Sequence, residues 1–528
     1  MKRTSFLFVI CMLAVALIAS GSAGPQKRST MAAKAGVVKD PDISASPASL
    51  PTGWSTPENI SNSTAYSQTP CVAVDAKNNV YVSWEDWYSG LGDRRDMMFN
   101  TNKSGTWSGK RANSLTYVAI DDVGFPEVAA TQSGNNALYA WMDGDFSVGR
   151  MVVNGEELVN GTWSGVGTIS TQVNAPSTYP TLFASPVDGT VCFIWQQDIS
   201  PGFNVAYQYR DGTTGQMSSP ALIFPGQGGG QYLPNVVVDG KGTVHCVYTT
   251  RSFEAVIWYT SNANPKNTSG WKTPIALDSG TGLDWSFPKI VADNDGNAYA
   301  VWQEYHGGVE HIYLRYQMNG GWQSAIDLTP AATAAEWPSI GINTTTKEIY
   351  VSWVEQTSSA GGNLYLKTYE INKTTGNFAW SSNIQVTSTG RSQKSGVRVS
   401  NAGDVHLVYA DSGEIWHSQR LAPPLLTAIQ PPTVSSKINR VLFASEKTLT
   451  IDFAKNPVND DAMLKEYRLY YKKAEAADNA YTVLATFAPT DTLEYVMKKV
   501  PVSQKYNFIA SVVNKDGLEI QTAPVISD

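Results

Sequence analysis

One pattern recurs along residues 51–423 and constrains the fold before any other property is considered. It opens on Pro, runs through alternating apolar residues to an Asp/Asn/Gly turn, and ends a short run later in Trp or Tyr. The clearest copies run from Phe287-Pro288 to Trp302 and from Thr69-Pro70 to Trp84. The others are Pro126 to Trp141, Pro180 to Trp195, Pro234 to Tyr248, Pro338 to Trp353 and Gly396 to Tyr409. From Pro70 onward the steps are 56, 54, 54, 54, 50 and 58 residues. A period of that size marks one supersecondary unit stacked on copies of itself. Each copy reads as a hairpin. Its Pro is expected to open the first strand, where it costs no ladder bond. Its turn residues, such as Asn78-Asn79, Asp188-Gly189 and Asp295-Gly296, tolerate positive φ. An aromatic strand follows, as at 256–259 and 311–316, and then a Trp-bearing strand. Four strands per period make one propeller blade.

The ends give the count. Fourth strands fall near Trp54, Trp107, Trp163, Trp271, Trp322 and Trp380, with Met217 in the remaining slot. The first precedes the first Pro hairpin, and the last copy runs out at Arg420 with three strands. The expectation is an all-β chain: a seven-bladed β-propeller of four-stranded blades, its last blade closed by the N-terminal strand. Closure of that kind removes open edges.

The flanks read differently. Lys2 and Arg3 precede an apolar run from Phe6 to Ala19, and Gly21-Ser22-Ala23 offers small residues for cleavage, so 1–23 is expected to be a signal peptide and the protein secreted, extracellular or periplasmic. No later stretch reads as a membrane span. Residues 24–50 read as a flexible Pro/Ala/Ser/Lys leader. Cys71, Cys192 and Cys246 lie in apolar strand patterns and read as small buried hydrophobes, with a Cys192–Cys246 bridge as the alternative. Pro423-Pro424 and Pro431-Pro432 punctuate a second boundary. Beyond it, residues 424–528 alternate over short strands and suit a β-sandwich. The net charge is −7; setting aside Lys2, Arg3, the +2 of residues 24–50 and the balanced 12 basic and 12 acidic residues of 424–528 leaves −11 on 51–423. An acidic propeller argues against nucleic acid as a partner.

Residues 431–528 resemble a fibronectin type III domain through Tyr506-x-Phe508-x-Ala510-x-Val512-x-Asn514-x-x-Gly517 and the preceding Val500. The resemblance puts Tyr506 at the family's tyrosine corner and Phe453 where the family has Trp. Residues 51–423 resemble the sialidase-like group of secreted propellers, since 101–107 and 259–271 are degenerate forms of its Ser-x-Asp-x-Gly-x-Thr-Trp hairpin. That motif is structural in the group. The Phe-Arg-Ile-Pro arginine motif of true sialidases, which have six blades, does not occur in the sequence.

Candidate chemistry gathers on the loops into each first strand and after each second strand. Trp285, Phe287 and Trp337 stand on the former, and Glu304, Tyr305, His306 and Glu355 on the latter, in two neighbouring blades; Trp87 and Tyr88 of the first blade are the second choice. Aromatic faces beside carboxylates suit a glycan, peptide or surface-protein ligand. The loop from Gln303 to His311 holds two of the five His, and its Glu/His pairing could do acid–base work or hold a metal. Tyr88, Arg94 and Arg95 of the first blade, with Arg251, could bind a carboxylated sugar. The Asp293–Asn297 turn looks calcium-like but lacks the later acidic ligand, so no cofactor is expected. With no complete catalytic motif, the leading expectation is a non-enzymatic binding or adhesion protein. The alternatives are an extracellular glycan-active enzyme, glycosidase or polysaccharide lyase, using carboxylates and Tyr/His on that face, and a self-assembling surface protein.

Overall fold

The alternation of apolar residues is realised as strands throughout, and no helix occurs among the described residues. The computed structural model describes residues 50 and 53–527, apart from 89–93, 104, 110, 113–123, 132–135, 146–149, 171–175, 200–201, 226, 228, 252–254, 279–285, 307, 319, 333, 359–360, 372–377, 422–428, 442–443, 457–458, 460–463, 478–479 and 515–518. The expected signal peptide and nearly all of the leader lie outside the described residues. No helix among the described residues is long and apolar enough to cross a membrane. The chain divides into two compact units, the larger ending at Leu421.

The first unit is a β-propeller. One repeat shows the construction: Ser177–Ala184, Val191–Ile199, Gly202–Arg210 and Ala221–Ile223 form a four-stranded antiparallel meander. The second strand, Val-Cys-Phe-Ile-Trp-Gln-Gln-Asp-Ile, is rich in β-branched and aromatic residues that suit a pleated surface buried on both faces. Gly189, at φ 72°, turns the chain between the first two strands. The other repeats start with Tyr66–Val74, Gly124–Ala130, Gln231–Val238, Lys289–Ala292, Ala335–Ile342 and Ser392–Val399. These first strands adjoin one another in chain order, and Ser392–Val399 adjoins Tyr66–Val74, so the series closes on itself.

Each sheet buries its faces against both neighbours. Trp84, Trp141, Trp195, Trp302 and Trp353, which end the sequence repeats, are fully buried between sheets. At the seam, Val72, Val82 and Trp84 pack with Val408, Ala410 and Ile415 of the last sheet. The expected closing strand is present: Glu58 pairs with His417 and Asn59 with Trp416, and Trp54 bridges Arg420. Trp271 and Met217 likewise bridge Asn262 and Arg210 in their fourth-strand slots.

The repeat's Pro is placed differently from expectation. It opens the strand only before Lys289–Ala292; elsewhere it lies inside the first strand, at a register shift between Gln68 and Cys71, Gly124 and Glu127, Thr178 and Thr181, Tyr232 and Asn235, and Glu336 and Ser339. A bulge frees one residue from the ladder, so the missing Pro N–H is not needed there. The residue before each Pro is left-handed: φ is 50° at Thr69, 51° at Phe125, Tyr179 and Leu233, 35° at Phe287 and 59° at Trp337. The last sheet has the same shift between Ser392 and Ser395, with Gly396 opposite Val408. Lys394-Ser395, not Gly396, therefore stands at the aromatic-Pro position.

Cys71, Cys192 and Cys246 are buried free thiols, in agreement with the hydrophobe reading. The second unit pairs a three-stranded sheet (Thr433–Val441, Ala444–Asp452, Glu494–Pro501) with one built on Thr482–Phe487, Leu464–Lys473, Tyr506–Asn514 and Glu519–Gln521. Its core holds Leu449, Ile451, Tyr467, Leu469, Phe508, Ala510 and Val512. Phe453 meets Phe487 edge-on at 5.5 Å, and Tyr506 tilts against Tyr471 and Phe508.

Candidate active site on the axial face

The bulges decide what faces the axis. A left-handed residue inside a strand swings its side chain out of the pleat, and all of these residues sit at equivalent positions. Phe125 and Tyr179 meet with ring centroids 4.5 Å apart, and Phe287 and Trp337 at 4.2 Å. With Thr69, Leu233, Lys394 and the adjoining prolines they line a cavity of about 120 Å³. The Lys394 Nζ lies 4.2 Å from the Trp337 ring centroid and 4.7 Å from that of Phe125. Just past the prolines lie charged and polar groups. The Lys289 ammonium reaches Glu127 at 3.5 Å, and the Cys71 thiol donates to Glu127 at 3.2 Å. Burial, with Glu127 adding to it, pushes that thiol up to about 12.

Second-strand residues support this floor. The buried Gln303 amide oxygen accepts the Trp337 N–H at 2.8 Å, and Gln196 accepts that of Leu233 at 3.4 Å. One residue further, the side chain accepts from the indole beneath it: Trp84 to Asp86 at 2.8 Å, Trp195 to Gln197 at 2.8 Å, Trp302 to Glu304 at 3.0 Å and Trp353 to Glu355 at 3.3 Å. In two of these sheets a serine on the first strand also donates to that acceptor, Ser67 to Asp86 at 2.6 Å and Ser177 to Gln197 at 3.0 Å, and in the last sheet Ser392 donates to Asp411 at 2.7 Å. The residue facing Glu355 is Ala335, which offers no hydroxyl. Trp285 lies outside the described residues.

Glu304 stands directly opposite His311 in the ladder of its sheet, and Trp302 opposite Tyr313. Opposed residues share a face with their Cβ atoms about 5 Å apart. The His311 Nδ1 lies 3.0 Å from an Asp327 carboxylate oxygen. The carboxylate only accepts, so Nδ1 carries the hydrogen, and Nε2 is the nitrogen left to exchange a proton with a ligand. His311 is 15% exposed and Asp327 27%, so the pair is reachable from solvent. Burial, then Asp327 and Glu304, hold the Tyr313 phenol above its usual range, which places its hydroxyl in the field of both carboxylates. The result is a base, its orienting carboxylate, a second carboxyl group and a phenol on one sheet face.

The structure thus brings Phe287 and Trp337 together on the axis, and sets Glu304 and Glu355 at equivalent positions in neighbouring sheets. Tyr305, 37% exposed, follows Glu304 and points to the other face of the sheet. His306 ends the same strand, and its side chain lies outside the described residues. Trp87 pairs with Tyr66 in the first sheet, with Arg95 5.7 Å over its ring, and Tyr88 pairs with Arg94. Arg95 also stands 4.0 Å from Glu85. Sequence reasoning missed Lys394, Asp327 and Tyr66. Burial and Asp411 push the Tyr66 phenol up to about 12, while it accepts a bond from Gln393 at 2.8 Å. The calcium-like turn is occupied otherwise: one Asp293 oxygen accepts the N–H groups of Asp295 and Asn297, and the Lys347 ammonium sits 3.7 Å from the other and 2.5 Å from Asp295. No cluster of three metal-binding side chains occurs among the described residues.

No family model and no curated protein matches the sequence. Solved structures do. An intramolecular trans-sialidase from Ruminococcus gnavus, in complex with oseltamivir carboxylate, is 12% identical with a TM-score of 0.41, over 69% of this chain and 96% of that one. An ulvan lyase bound to a GlcA–Rha3S saccharide is 11% identical with a TM-score of 0.47, over 68% and 94%. An α-L-arabinanase from Penicillium chrysogenum with arabinobiose is 13% identical with a TM-score of 0.41, over 58% and 93%. These comparisons run against the expectation of a non-enzymatic binding protein: the similar structures include trans-sialidases, a sialidase, polysaccharide lyases and an arabinanase.

Proposed function

We propose that this chain is an exported enzyme that cleaves a glycan, built on a seven-bladed β-propeller with a fibronectin type III-like second unit. The closed series of first strands supports the blade count. The observation that carries the reading is the His311–Asp327 pair set opposite Glu304 on one solvent-reachable sheet face. Asp327 holds the His311 tautomer with Nε2 as the base, and the Glu304 carboxyl group opposite it is the partner in proton transfer. Bond cleavage needs that pairing: one group removes a proton from water or from the sugar ring, and the other delivers one to the leaving glycosidic oxygen. The phenol of Tyr313 is placed to donate a hydrogen bond to the same substrate. Trp337 and Phe287 offer the stacking surface that a pyranose needs.

Incubation with a panel of plant, algal and animal polysaccharides tests this. The appearance of new reducing ends identifies cleavage, and ultraviolet absorbance from an unsaturated terminal sugar separates elimination from hydrolysis. Absence of both across the panel would remove the reading.

A further inference from the structure

The floor of the axial cavity holds groups that proton transfer at Glu304 and His311 does not use. Six equivalent positions before the prolines carry Thr, Leu or an aromatic residue, and the seventh carries Lys394. Its ammonium rests against the rings of Trp337 and Phe125 at 4.2 and 4.7 Å. Aromatic faces attract an ammonium through their quadrupole and leave its charge in place. A lysine ammonium also has three N–H donors. The lining contains two lysines, Lys394 and Lys289, against one carboxylate, Glu127. This positive floor lies within a stretch that carries −11 overall. Local charge of the opposite sign, in a cleft with low-dielectric walls, focuses the field on a ligand of matching charge.

We propose that the axial floor is a subsite for a sugar ring bearing an oxyanion, either a uronate carboxylate or a sulfate ester. The apolar C–H face of the sugar stacks on Trp337 and Phe287, and the oxyanion takes a charge-assisted hydrogen bond from the Lys394 ammonium. Gln393, bonded to the Tyr66 hydroxyl at 2.8 Å, and the bulge N–H bond to Gln303 fix the geometry on either side. This assignment deepens the glycan-cleavage reading and rests on it for the ligand class.

The test is calorimetric binding of the full-length protein and its Lys394→Met and Lys394→Arg variants to polygalacturonate, dextran sulfate and neutral dextran. Loss of one charge-assisted contact should weaken polyanion binding by about tenfold to a hundredfold. Lys394→Arg should restore most of that, and neutral dextran should be unaffected. The polyanion that responds names the oxyanion. Wild-type affinity should also fall with added salt, which keeps the proposal testable if Lys394→Met does not fold. Equal binding of both polyanions by wild type and Lys394→Met, or salt-independent binding, overturns the proposal. Cleavage of a neutral glycan without polyanion binding overturns it alone. Lys394-dependent polyanion binding with no product from any glycan overturns the enzymatic reading and leaves the subsite standing.

Discussion

Two buried histidines lie at the seam of the propeller, and their burial makes its stability depend on acid. His406 and His417 lie 3.2 Å apart, Nδ1 to Nε2, with their rings stacked. His406 Nε2 lies 3.2 Å from the Asn78 side-chain oxygen, across the seam in the first sheet. Nε2 therefore donates to Asn78, the His406 Nδ1 lone pair accepts, and His417 Nε2–H supplies the proton. Both rings are neutral in this arrangement. His417 also stands opposite Glu58 of the closing strand and meets Trp107 edge-on at 5.1 Å. Burial pushes His406 down from 6.5 to about 4, against the nearby Asp404, and burial together with His406 pushes His417 to about 3. The folded values lie below the unfolded one, so the unfolded chain binds more protons between them. Stability is whole above pH 6.5 and is lost as pH falls from there through about 4. For His406 alone, lowering the pH from neutral to about 4.5 costs roughly 2.5 kcal/mol. Denaturant melts of wild type and His406→Gln over this range isolate the contribution, because every other ionisable group is common to both proteins. The wild type should lose about 2.5 kcal/mol more than the variant, and hydrogen exchange should speed up first at residues 54–60 and 414–420. Parallel pH dependence in the two proteins, or unchanged exchange at the seam, would refute the reasoning.

Two further predictions follow from the packing. Gln303→Leu orphans the buried Trp337 N–H, so it should destabilise by about 1–3 kcal/mol in thermal melts, whereas Gln303→Glu, which keeps an acceptor, should cost less. Residues 424–528 form their own core, so that fragment should show a sharp, cooperative unfolding transition, and a disordered circular dichroism spectrum would count against the boundary.

The propeller was legible because its signal is periodic. The buried tryptophans, the turn residues and the missing last strand each repeat or terminate at fixed spacing, and burial on both sheet faces demands that regularity. The bulge was not legible. Phe, Tyr, Leu and Trp do not advertise a left-handed backbone, so Pro read as a strand opener when it sits inside the strand. The same gap hid Lys394: the last copy has Ser395 in place of Pro, and alignment on Gly396 set the register one residue off. Glu304 and Glu355 stood out by position, and their tie to the indoles beneath came only from the fold. Asp327 was invisible because it reaches His311 from the fourth strand, 16 residues away, with no fixed spacing to mark it.

The central claim is that glycan cleavage runs through the His311–Glu304 face. Its most direct test is the cleavage rate of wild type, His311→Gln and Glu304→Gln on one polysaccharide that the wild type degrades, with melting temperatures measured alongside. Removing either proton-transfer group should lower the rate by about a hundredfold or more while the protein stays folded. Full activity in both folded variants would contradict the account.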